Sequence, residues 1–256
     1  MEQQKNPQES SSLKDPVLNS LKSLRRACLY QVFSSIFMCI TLTLFFSLSF
    51  SQQITGAHAI YFFAGISILS FSLLLFFISY RAFLTSLEHL NREKPGAFYV
   101  PLMLLKIIDS KARNLILVAL VTEVISGIMF HVMGDKPAEI LSYALSIFII
   151  DFLLLLFYVG VILFFFKLKD EFNVTLFQTT ATLLIVPLST NLVPGLFGSI
   201  LLLLGLPISQ YTVFTSLISF FFINLIIFIL AGLETSSLVE KAETERSLNI
   251  VNTEGS

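Results

Sequence analysis

The sequence predicts an all-α protein, a polytopic transmembrane helix bundle of about six spans with both termini in the cytoplasm. Composition is the first observation: of 256 residues, 55% are hydrophobic and 13% charged, and a mean hydropathy of +0.84 suits a chain solvated by lipid rather than water. The second is that the apolar residues gather in runs of about 20, enough for a helix to cross a hydrocarbon core of about 30 Å. The third is the placement of Lys and Arg, which concentrate in alternate loops.

The clear runs are 29–50, 59–80, 115–133, 140–166 and 212–233, with a sixth span inside 175–206. In hydrocarbon the backbone must satisfy its own N–H and C=O groups, and these runs are too long and too uniform for the alternating strands of a barrel. They are read as helices within a membrane domain over 24–233, flanked by a polar, disordered N-tail (1–23) and a mildly acidic C-tail (234–256). The tail "MEQQKNPQESSSLKDP" has no apolar core of a cleaved signal.

Orientation follows from the cations. In the six-span frame, every one of the 16 Lys and Arg residues except Lys136 falls on the side of the two termini, which the positive-inside rule assigns to the cytoplasm. Six of the seven tyrosines, including Tyr80 and Tyr99, stand near span ends, where a ring can lie in the interface with its hydroxyl wet. Tyr158 is the exception, well inside the fourth span.

The connection 81–113 divides at Pro95-Gly96. Before the break, Phe83, Leu84, Leu87 and Leu90 recur at helical spacing, so the second helix is expected to run on past the bilayer. After it, "AFYVPLMLLKIID" is too short to cross and fits an interfacial or re-entrant helix that packs on the bundle. The stretch 175–206 is too long for one straight span and is interrupted by Pro187, Pro194 and Gly195. The expected arrangement is a span over 176–192 followed by an apolar outer-leaflet hairpin over 194–207; the alternative, two spans within 175–206, carries the C-tail outside and lowers the count of inside cations.

Chemical motifs are few. There is no phosphate-cradling glycine loop, no metal-ligand spacing and no nucleophile elbow, so neither catalysis nor a cofactor is expected, and no basic patch interleaved with aromatics points to nucleic acid. Cys28 and Cys39 are eleven residues apart on one helix, too far for a disulfide with each other; Cys28 reads as a small buried residue or, near the inner interface, an acylation site. His131, Asp135 and Glu139 flank one short outer loop and read as solvated polar residues.

The stronger constellation lies in the membrane. Glu123 and Asp151 fall near mid-depth on antiparallel neighbours, where an acid costs about 2.5–3.5 kcal/mol, so each is expected to face the bundle interior. Tyr158 follows Asp151 by seven residues on nearly the same helix face. These three form a candidate proton or cation site, with Gln178, Thr182, Ser189 and Asn224 as a candidate polar pathway. The same groups can equally serve as interhelical hydrogen-bond glue.

Two stretches, "LKSLRRACLYQVFSSI" and "KLKDEFNVTLFQTTATLLIV", resemble an archaeal group of uncharacterised multi-pass membrane proteins, over about a seventh of the chain. The resemblance implies an unassigned function; the multi-pass reading itself leads to the expectation of a cell-membrane protein. Two roles are compatible with the residues: a small transporter or channel, or a structural accessory subunit whose partners, beyond the lipid bilayer, are another membrane protein or further copies of the chain.

Overall fold

The computed structural model describes residues 14–50, 56–110, 114, 136–204 and 210–254, and among them there is no strand. We number the helices α1 (Lys14–Phe50), α2 (Gly56–Glu93), α3 (99–110), α4 (Lys136–Phe172), α5 (Thr175–Pro187), α6 (Val193–Leu203) and α7 (Gln210–Glu254); a five-residue π turn, Leu188–Leu192, joins α5 to α6. Five stretches are long and apolar enough to cross a membrane: Pro16–Leu44, Ala64–Glu93, Asp151–Phe172, Thr175–Gly198 and Ile218–Thr244. The expected span 115–133 lies outside the described residues.

α1 and α2 form an antiparallel hairpin built on a seven-residue repeat of small residues. Ser20, Ala27, Ser34 and Thr41 recur along α1, and Gly65, Ser72, Ser79 and Ser86 along α2. Seven residues are close to two helical turns, so each set lines one face. Small side chains let the backbones approach until hydroxyls reach the opposite carbonyls. Ser20 Oγ donates to Ser86 O at 2.8 Å and Ser86 Oγ returns to Ser20 O at 3.0 Å. Ser34 Oγ and Ser72 O are 3.0 Å apart, with the reciprocal Ser72 Oγ to Ser34 O bond at 2.8 Å. Between these levels Ser79 Oγ donates to Ala27 O at 2.8 Å. The same register places buried Thr41 opposite buried Gly65.

α7 packs antiparallel on α1. Gly232 backs onto Cys28, where an added Cβ would stand 3.6 Å from the cysteine's own Cβ. Cys28 is thereby fully buried. Nearer the helix ends, Leu18 and Leu21 pack on Val239, and Lys22 pairs with Glu243 at 2.7 Å. Lys14 to Ser23, expected in a polar tail, are thus the first turns of α1, because the apolar stripe on α7 continues far enough to cover Leu18 and Leu21.

The second helix does run on to Glu93, and Phe83, Leu84, Leu87 and Leu90 are all buried. Gly96 then takes φ +91°, a left-handed conformation that glycine adopts without strain, and the chain turns into α3. Phe98, Leu102, Leu105 and Ile108 of this segment face inward, while Tyr99, Val100 and Met103 face out. Gly160 of α4 admits it closely: a Cβ there would lie 3.0 Å from Leu105 Cδ2. Tyr80, expected at the wet interface, is instead buried and donates to Leu105 O at 2.6 Å, since α3 covers it. Pairs Arg81–Asp109, Lys106–Glu88 and Lys94–Glu171 tie α3 and its flanks to α2 and α4.

Asn173, at φ 53°, links α4 to α5. From there the chain runs antiparallel beside α4, with the Phe165 and Phe177 rings 5.8 Å apart at one end and Gly195 against Asp151 further on. It does not turn back at Pro194. In place of the first part of the expected outer hairpin over 194–207, Val193–Leu203 continue the helix as α6; residues 205–207 lie outside the described residues. The physical reason lies in the π turn. Pro194 lacks the N–H that would bond four residues back and its ring crowds that carbonyl, and the widened turn absorbs both defects without breaking the helix.

The centre of the bundle is aromatic. The rings of Phe157, Phe164, Phe165 and Phe228 surround Phe83 at centroid distances of 6.0, 6.4, 6.4 and 6.0 Å, all edge to face, the arrangement their quadrupoles favour. The described basic side chains Lys22, Arg25, Arg26, Arg81, Arg92, Lys94, Lys106, Lys167, Lys169 and Lys241 stand toward one end of the bundle, in the turns and helix ends just described.

Candidate functional site

Asp151 sits within an otherwise apolar stretch of α4, "FIIDFLLLLFYVG". Its residue is 5% exposed. A Cβ built on Gly195 would lie 3.0 Å from Asp151 Oδ2, so the absence of a side chain at 195 is what makes room for the carboxyl. Among the described residues no hydrogen bond or ion pair reaches that carboxyl. Gly195 belongs to the first turn of α6, directly after the π turn and Pro194. An acid inside the membrane zone therefore stands against the one interrupted helix among the described elements, a place where irregular helical backbone commonly accompanies function.

Glu123, the expected partner of Asp151, lies outside the described residues, as do His131 and Asp135; of Glu139 only the helical backbone is described. Among the described residues no group of three His, Cys, Asp or Glu side chains could hold a metal ion.

Tyr158 is buried, but its partner is one the sequence reading did not single out. Gln31 Nε2 of α1 donates to the Tyr158 hydroxyl at 3.3 Å. The phenol ring is held edge-on by Phe157 and Phe220, at 5.2 and 5.1 Å, with Phe228 at 6.5 Å. Asn224 lies between Phe220 and Phe228 on the same face of α7 and is fully buried; its Nδ2 donates to Phe220 O at 2.8 Å. Gln31 of α1 thus meets Tyr158 of α4, and Asn224 of α7 follows and precedes by one turn the phenylalanines whose rings flank that phenol. The signal that points to Gln31 in the sequence is the one that points to Asp151: a polar residue in an apolar run, here "CLYQVF".

The candidate pathway residues divide. Asn224 faces inward, whereas Gln178, Thr182 and Ser189 are exposed on the outer face of α5 and the π turn. Their hydroxyls are spent locally, Thr182 Oγ1 donating to Gln178 O at 2.9 Å and Ser189 Oγ to Val186 O at 3.1 Å. A spacing of four and seven residues puts side chains on one face but cannot say which way that face points. Phe177, Thr180, Ala181, Leu184 and Pro187 are the buried positions of α5.

Chemically, the arrangement offers one acid able to take up and release a proton, a break in the adjoining helix, and a phenol–amide pair two turns, about 10 Å, further along α4. No family model, no curated protein and no solved structure matches the chain, so the functional reading rests on this geometry.

Proposed function

We propose that the protein is a small transporter or channel-like protein that moves protons or cations, with Asp151 as its membrane-embedded titrating group. The observation that carries this reading is the seat of the carboxyl against Gly195. A carboxylate is costly inside a bilayer and is retained there chiefly where it serves a path, and discontinuous helices beside such groups are a recurrent feature of transport sites. The cation-rich end of the bundle is assigned to the cytoplasm by the positive-inside rule. In this frame Asp151 lies toward the outer half and Tyr158 closer to the inner side.

The test is proton or cation flux into proteoliposomes loaded with a pH-sensitive dye. Asp151→Asn keeps size and hydrogen-bonding capacity but cannot titrate. Loss of flux in that variant, with folding retained, is the expected result; flux equal to the wild type would remove Asp151 from the mechanism, and no flux in the wild type would remove the reading.

A second reading has its own observation. The outward-facing stripe Gln178, Thr182 and Ser189 is a surface on which a polar face of another helix could be received, as expected of an accessory subunit in a membrane complex. Purification in mild detergent separates the two: a stoichiometric partner of different sequence favours the accessory role, and a self-contained assembly that conducts favours transport.

A further inference from the structure

Among the described residues, three buried polar atoms of α1 and α7 have no hydrogen-bond partner: Gln31 Oε1, Ser35 Oγ and Asn224 Oδ1. All three residues are fully buried. The register of the helices places them at nearly one level of the bundle. Ser35 is one turn beyond Gln31 on α1, and Gln31 bonds to Tyr158; Asn224 stands between the two α7 phenylalanines whose rings flank Tyr158. The antiparallel register set by Cys28 against Gly232 brings Ser35 and Asn224 to the same level, since seven residues beyond Cys28 and eight before Gly232 are nearly equal rises. An unpaired polar atom is costly to bury, and three at one level of a core call for an explanation, of which a bound partner is the simplest.

We propose that Gln31, Ser35, Tyr158 and Asn224 enclose a bound water molecule. The donor and acceptor inventory selects that ligand. Two of the open atoms are amide oxygens, which only accept, and the third is a hydroxyl, which can donate. Water supplies the complement: its two hydrogens go to Gln31 Oε1 and Asn224 Oδ1, and one lone pair receives the Ser35 hydroxyl. Its second lone pair is open to the Tyr158 hydroxyl, whose oxygen already accepts from Gln31. Three to four bonds are what a buried water typically makes. A divalent cation needs carboxylates and more oxygens than these neutral groups provide. Tyr158 thereby becomes part of a hydrogen-bonded chain that joins α1, α4 and α7 two turns inward of Asp151. As a proton relay from Asp151 this chain rests on the transport reading; the bound water does not.

Radiolytic hydroxyl-radical footprinting of the full chain in lipid nanodiscs tests it, because radicals formed from a bound water modify the side chains around it. Tyr158 is expected to be modified at least about fivefold faster than Phe164 and Phe83, which are as deeply buried but packed against other rings, and to take up 18O from labelled water. In Asn224→Leu, which removes one acceptor and fills its volume with an apolar group, the Tyr158 rate is expected to fall to that of Phe164. Equal slow rates for Tyr158 and Phe164 in the wild type would overturn the proposal, as would a rate that drops when sodium or potassium is added, which would make a cation the occupant. Should Asn224→Leu fail to fold, Ser35→Ala gives the same readout with a smaller perturbation. A wet site in a protein that carries no flux leaves this inference standing and removes the transport reading; flux with a dry site does the reverse.

Discussion

The α1–α2 hairpin and the α4–α6 pair are both antiparallel contacts between apolar helices, yet they treat polar groups in opposite ways. In the hairpin, serine hydroxyls close on carbonyls of the facing helix at three successive levels, two of them reciprocally. In the α4–α6 pair, one carboxyl lies against a glycine at the end of a π turn, with no hydrogen-bond partner among the described residues. The first arrangement is a seam: each polar atom is satisfied, and the contact has no chemistry left over. The second carries an unspent acid beside an irregular backbone. The contrast separates structural glue from a site more sharply than burial does, because Ser34, Ser79 and Asp151 are all buried.

Overfilling the seam should give the largest effect. Ser79→Leu places a branched side chain where the two backbones approach, opposite Ala27, and is expected to lower stability by about 3 kcal/mol or to prevent assembly. Denaturant-dependent unfolding of the reconstituted protein reads this, and a loss under about 1 kcal/mol would mean that the helices are not held in this register.

At the other contact the same measurement should separate stability from activity. Asp151→Leu removes a costly group and should leave stability within about 1 kcal/mol of the wild type or raise it, while abolishing flux. A large destabilisation instead would class the carboxyl with the seam. Gly195→Ala is the finer probe, since its new methyl must displace Asp151 Oδ2; flux should fall with little change in unfolding, and an unchanged flux would show that the carboxyl need not rest there.

Truncating a single hydroxyl should cost less. Ser20→Ala keeps the close approach and loses the hydrogen bonds to Ser86, an expected loss of about 0.6–1.7 kcal/mol, and Ser72→Ala should behave alike. If the two differ by more than that range, the seam is not uniform along its length.

The smallest effect is expected at the cation-rich end. Lys22 and Glu243 pair at 2.7 Å but are open to solvent, so Lys22→Met should leave the unfolding midpoint almost unchanged, and still less changed at high salt. The same end supplies a check on sidedness. The Asn173-Val174-Thr175 acceptor pattern should receive no glycan in a competent host, because the proposed orientation keeps it in the cytoplasm; attachment there would invert the bundle.

What the sequence determined by itself was the solvent and the class of structure. Runs of about 20 apolar residues leave a lipid-embedded chain little choice but helix, because no other single segment satisfies its backbone there. The extension of α2 and the identity of its buried stripe were also legible, since Phe83, Leu84, Leu87 and Leu90 repeat at the helical period. The seam was written as plainly, in small residues seven apart, but its meaning depends on two helices meeting in register. Asp151 and Tyr158 stood out by being polar at depth; Gln31 carried the same mark less visibly, near a span end.

Tertiary structure decided which faces turn inward. Periodicity gives a stripe without a direction, so Gln178, Thr182 and Ser189 share a face that lies outside while Asn224 lies within. It also decided the fate of the prolines: Pro187, Pro194 and Gly195 announce an irregularity, yet whether the chain folds back or widens into a π turn depends on the packing energy gained by α6 along α4. Finally, it supplied the partners. Tyr80 finds Leu105 O and Tyr158 finds Gln31 across 25 and 127 residues of chain, distances over which local sequence carries no geometric information, because the contact is created by helix packing alone.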